Sequence, residues 1–138
     1  MQKYKGQSLI AITVIVAILA LILRFAVGQI FKMNIAQNES YASKTLKLIS
    51  VALENYAAAY EQVYPDSLSV LTATNPAYLD KDYVASSPLR GYNYNCLRLQ
   101  SSGYNCEAVP VKCKITGKMA YTVTTGGVFL SEDCAKKE

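Results

Sequence analysis

The strongest constraint on this chain is Leu9–Leu23, an apolar run whose single polar residue is Thr13. Arg24 interrupts it, and a second apolar piece, Phe25–Phe31, follows. Together they approach the roughly 20 residues that a helix needs to cross a bilayer. The β-branched residues Ile10, Ile12, Thr13, Val14, Ile15 and Val16 do not make this a strand. In lipid the backbone must satisfy its own hydrogen bonds, and a single span does so only as a helix. Lys3 and Lys5 ahead of the run predict a cytoplasmic N-terminus and an outside C-terminus. An ordinary cleaved secretory signal fits poorly, because the run is too long and no small-residue cleavage motif precedes Arg24. A better cut site lies ahead of the run, between Lys5-Gly6 and Gln7-Ser8-Leu9-Ile10.

With 138 residues, the chain has room for one compact domain beyond this segment. Cys96, Cys106, Cys113 and Cys134 all lie in that remainder, an even count that points to two disulfides and an oxidising compartment. Zinc fits badly: there is no His, no C-x-x-C pair, and the spacings are long and irregular. The net charge of +4 comes partly from Lys3 and Lys5; elsewhere cations and carboxylates are interspersed, with no basic stripe of the kind that tracks nucleic acid.

After Phe31 the chain turns polar through Lys32, Asn34, Gln37, Asn38, Glu39 and Ser40, but no helix breaker appears. Ala42, Leu46, Ile49, Leu53, Tyr56 and Tyr60 then recur at spacings of four and three, the mark of one buried helical face. Lys44, Lys47, Glu54, Asn55, Glu61 and Gln62 fall on the opposite face. One helix is therefore predicted over Ser8–Gln62, stopped by Pro65. Asp66 is expected to cap a short turn at Ser67–Leu71, and Asn75-Pro76 another before Ala77–Leu79. Beyond Ser86-Ser87-Pro88 the period becomes two. Tyr92, Tyr94 and Cys96 form a first strand, and Ser101-Ser102-Gly103 a turn. Tyr104–Val111 forms a second strand in which Pro110 signals an edge or a bulge. Thr116-Gly117-Lys118 turns into Met119–Thr125, and Gly126-Gly127 into Val128–Leu130. The predicted fold class is α+β: a long N-terminal helix packed on a small antiparallel meander with disulfides. Three cysteine pairings are possible; the meander favours Cys96–Cys106 across the first hairpin and Cys113–Cys134 at the other end of the sheet.

Met1–Phe31 resembles the signal of type IV prepilins and type II secretion pseudopilins: a short basic leader ending in Gly, then a retained hydrophobic helix. Tyr64-Pro65-Asp66-Ser67-Leu68…Leu71 is similar to an element that follows the long helix in that family, and Ala120–Val128 is similar to the ending of certain bacterial pilins. The resemblance implies residues 1–6 as leader, 7–31 as transmembrane and filament-core helix, and 32–138 as an extracytoplasmic head (helix 32–62, connector 63–90, sheet 91–134). It implies cleavage after Gly6 by prepilin peptidase and methylation of the Gln7 amine. It also implies insertion in the inner membrane, followed by assembly with other pilin subunits through a membrane platform and its ATPase. The fifth mature residue in that family is usually a Glu that pairs with a neighbour's N-terminal amine; here it is Ala11, which suits a minor, initiating or tip subunit. Arg24 has two readings, a head group snorkelling to the interface or an ion pair between subunits. Gly28 lies where the family often has a helix-weakening residue, and could mark a place where the helix bends or loosens.

No enzyme is expected. The absence of His removes His-based triads, and no P-loop, G-x-G-x-x-G or G-x-S-x-G occurs. Asp80 with Asp82, and Glu132 with Asp133, lack the oxygen-rich spacing that calcium prefers, so neither metal nor other cofactor is expected. The leading expectation is a structural subunit of a pilus or pseudopilus, and the alternative a single-pass, signal-anchored binding domain that does not polymerise.

Overall fold

The computed structural model describes residues 5–136, with no side-chain description for residues 5–7. Of the expected leader, residues 1–4 lie outside the described residues, and Gly6 and Gln7 are described only as helical backbone. The fold is α+β. Helix α1 runs over Lys5–Ala59 without a break, including through Gly28. A short helix α2 follows at Leu68–Ala73, then strands β1 (Tyr92–Gln100), β2 (Gly103–Pro110), β3 (Met119–Thr124) and β4 (Val128–Asp133). The strands make one antiparallel sheet in the order β1-β2-β3-β4, the expected meander.

The chain divides into two compact units, residues 1–34 and 35–138. In the first, every side chain from Ser8 to Asn34 is exposed, including Leu9 at 67% and Phe25 at 74%. In the second, the rest of α1 buries Ala42, Leu46, Ile49, Ala52, Leu53 and Ala57 with Tyr92, Tyr94, Tyr104, Cys106, Ala108 and Val123 of the sheet. Cross-strand pairing explains which sheet face this is. Cys96, Cys106, Val123 and Phe129 stand in one row across all four strands, and alternation puts Tyr94, Ala108 and Tyr121 in the next row on the same face. Cys96 is bonded to Cys106 within that row, and Cys113 to Cys134, the pairing the meander favoured.

Several local expectations are corrected. The helix does not run to Gln62 and is not stopped by Pro65. Glu61 and Gln62 take left-handed φ values of 53° and 64°, and the Gln62 amide donates to the Ala57 carbonyl at 2.8 Å, the longer-range bond of a Schellman ending. Tyr60, expected on the buried stripe, is exposed; its amide still donates to the Tyr56 carbonyl at 3.0 Å and its ring stacks on Tyr56 with centroids 4.3 Å apart. Asp66 does not cap α2; Ser67 occupies the N-cap in extended conformation. Asn75-Pro76 is a cis bond and starts no helix. β2 is an interior strand that ends at Pro110, beyond the stretch Asn105–Ala108 paired with β3, so the missing proline N–H breaks no ladder there. Cys113 lies in the following loop rather than at the end of β2, and the bulge sits in β1 between Cys96 and Arg98.

Candidate assembly segment

From Leu9 to Leu23 α1 is apolar on all sides, and from Ser8 to Phe31 every side chain is exposed, with nothing among the described residues of its unit covering it. A helix of that kind is stable in lipid or among other helices, and not in water. It is long and apolar enough to cross a membrane. Its one internal polar side chain before Arg24 is already satisfied, since the Thr13 hydroxyl donates to the Ile10 carbonyl at 2.8 Å. Arg24, Gly28 and Lys32 follow at intervals of four on one face, with Leu21, Phe25 and Gln29 beside them. Added atoms at Gly28 would meet nothing within 4 Å, so the missing side chain leaves a shallow notch in that face. Ala11 is not part of it: at about 100° per residue it is rotated about 140° from Arg24.

In the second unit α1 is pinned to the sheet near both ends of β3. At one end the Glu39 carboxylate accepts from the Lys118 amide at 2.7 Å, and the Asn38 amide donates to the Thr116 carbonyl at 3.0 Å. At the other, Glu54 Oε1 accepts from the Gly126 amide at 2.7 Å and the Tyr104 hydroxyl at 2.8 Å, while Oε2 accepts from the Tyr64 hydroxyl at 3.0 Å. Ser50 Oγ lies 2.9 Å from the same Tyr104 hydroxyl. About 22 Å of helix separates residues 39 and 54, commensurate with a strand of β3's length. Burial first, then Glu54, raises Tyr64; burial pushes Tyr104 up to about 12, with Ser50 opposing and Glu54 adding.

Sequence reasoning placed Glu54 on the solvent face and gave Asn38 and Glu39 no partner. Glu54 flanks the buried stripe, next to Leu53 and one turn beyond Ser50, and that position was the available signal. Beside it a cleft of about 400 Å³ is lined by Lys47, Ser50, Val51, Asn55, Val123, Gly127 and Phe129, with the Lys47 ammonium 5.0 Å above the Phe129 ring.

Three of the four carboxylates weighed for calcium have protein partners. Asp80 accepts from Tyr83, Asp82 from the amides of Val84 and Ala85, and Asp133 from that of Ala135. Cys113, Asp133 and Cys134 converge, but both sulfurs are committed to a disulfide and are not thiolate ligands. No family model, curated protein or solved structure matches the chain.

Proposed function

We propose that this chain is a membrane-inserted structural subunit of a pilus or pseudopilus, related to type IV pilins and type II secretion pseudopilins. The reading is carried by one observation. A helical segment with apolar side chains exposed on every side continues unbroken into the helix that forms the core of a disulfide-bonded head. Such a segment has two environments that suit it, bilayer hydrocarbon and a bundle of like helices, and a filament subunit passes from one to the other. Cleavage after Gly6 retains the segment while removing Lys3 and Lys5. Ala11 supplies no carboxylate for a neighbouring amine, so packing in the bundle rests on shape and apolar contact, which suits a minor or initiating subunit.

Mass analysis of the N-terminus of the membrane-purified protein tests this. A start at Gln7, abolished in Gly6→Val, supports the filament subunit. An intact Met1 in a protein that never co-purifies with a fibre or secretion apparatus supports instead a single-pass anchored domain.

A further inference from the structure

Apart from the proposed assembly role, the head carries a cationic cleft that neither the core nor the pinning contacts use. Leu89 and Tyr92 exchange backbone hydrogen bonds of 2.8 and 3.0 Å, leaving Arg90 and Gly91 as a two-residue loop with φ of 45° and 75°. Two positive φ values are what a type I′ turn requires, a place for Asn, Asp or Gly. Gly91 is needed there, because a Cβ would also come within 2.9 Å of Thr116. Arg90 is not needed by the turn, and left-handed backbone costs an ordinary residue about 1–2 kcal/mol.

That side chain is held and unspent. The Arg90 guanidinium lies 5.0 Å above the Tyr41 ring. It borders a cleft of about 250 Å³ whose other lining residues are Gln37, Ser40, Tyr41 and Lys44, the successive residues of one face of α1. Every one of these side chains can donate a hydrogen bond, and none is a carboxylate. Among the described residues neither Arg90 nor Lys44 has a carboxylate at salt-bridge distance. Glu39, on the same stretch of helix, is occupied by the Lys118 amide. The Gly91 carbonyl accepts from the Val111 amide at 2.9 Å, which brings the exposed Lys112 beside the turn.

We propose that Arg90 and Lys44, with Gln37, Ser40 and Tyr41, bind a phosphate group, either free or as the head group of an anionic phospholipid. A guanidinium fork matches two phosphate oxygens, and the ammonium and hydroxyl donors meet the others. The strained backbone at Arg90 is the cost of presenting the fork.

The test uses the full chain, with backbone and arginine side-chain NMR signals as the readout. In one arm, inorganic phosphate is titrated at constant ionic strength into the protein in a nonionic detergent. In the other, the protein is placed in phosphatidylcholine nanodiscs with and without phosphatidylglycerol. Saturable shifts at Tyr41, Lys44, Arg90 and Gly91 are expected in at least one arm, and the arm that responds identifies the source. Arg90→Gln is expected to weaken the response about tenfold or more, as loss of a charge-assisted contact should, while Arg98→Gln leaves it intact. Arg90→Gly is expected to abolish the response while keeping or raising the melting temperature, because it relieves the turn. A wild-type protein silent in both arms, or a response that survives in Arg90→Gln and Arg90→Gly, overturns the proposal.

Discussion

Glu54→Ala removes the side chain that ties α1 to the connector, to β2 and to the β3–β4 turn at once. A hydrogen bond to a charged group contributes about 1.5–3 kcal/mol net, so three intact bonds would sum to well above 4 kcal/mol. The structure argues for less. Gly126 is exposed, so water replaces its acceptor, and Tyr104 keeps Ser50 at 2.9 Å. The Tyr64 hydroxyl, in a largely buried residue, loses the most. A cost of about 2–3 kcal/mol follows, which for a head of this size lowers the melting temperature by roughly 10–20 °C. Glu54→Gln keeps the shape and one acceptor oxygen and should cost about 1 kcal/mol. The assay is guanidinium unfolding of the full chain in nonionic detergent, followed by near-ultraviolet circular dichroism, a tyrosine signal because the chain has 11 Tyr and no Trp. A double-mutant cycle with Tyr104→Phe should show a coupling of about 0.5–2 kcal/mol. If Glu54→Ala lies within about 0.5 kcal/mol of wild type, or the cycle is additive, the clamp is not what holds the helix to the sheet.

The tyrosines predict alkaline sensitivity. Tyr83, Tyr94 and Tyr104 are pushed up to about 12, chiefly by burial, and Tyr92 is raised further. Their folded values exceed the unfolded value of 10.0, so their contribution is whole below pH 10 and drains away as pH rises toward 12. Absorbance at 295 nm should therefore show one set of phenols titrating normally and another ionising only as the near-ultraviolet dichroism collapses. Gly117→Ala would drive a Cβ into the Tyr92 ring and hydroxyl, and Tyr92 is fully buried, so a loss of about 2–3 kcal/mol in denaturant unfolding is expected. Glu61→Gly should stabilise by about 1 kcal/mol in the same assay, because the helix ends on a left-handed residue that has a side chain. A destabilised Glu61→Gly would mean the Glu61 side chain makes a contact that outweighs its backbone strain.

The parts of the fold legible in the sequence are those set by strong periodic or turn chemistry. Ala42, Leu46, Ile49 and Leu53 give the buried face of α1, and Ser101-Ser102-Gly103 and Gly126-Gly127 give two of the hairpin turns. Where two signals competed, the wrong one was read. Pro65 is a helix breaker, yet the chain had already turned at Glu61 and Gln62, where no glycine advertises a left-handed ending. Asn75-Pro76 reads as a helix start only if the bond is trans. Glu54, Asn38 and Glu39 look like solvent-facing polar residues because their partners are backbone amides, a carbonyl and tyrosine hydroxyls far away in sequence, and no local pattern records these. Ala11, Arg24 and Gly28 have a different limit. All three are exposed and nothing among the described residues covers them, so any role depends on what the segment packs against.

The two stretches of α1 obey different rules for that reason. Between Ser8 and Phe31 every side chain is exposed and none of the described residues covers it, so the residues answer to composition: largely apolar, helical, and in Thr13 satisfied by the helix's own backbone. Between Asn38 and Ala57 they answer to shape. Ala42, Ala52 and Ala57 are small where the buried Tyr92, Tyr94 and Tyr104 fill the space, and larger side chains there would have no room. Glu39 and Glu54 then hold this stretch near the two ends of β3, Glu39 through the Lys118 amide and Glu54 through the Gly126 amide together with the Tyr104 and Tyr64 hydroxyls. The residue at 118 can vary without releasing its bond, because every residue but proline carries that amide, whereas the Tyr104 and Tyr64 hydroxyls cannot be replaced in that way.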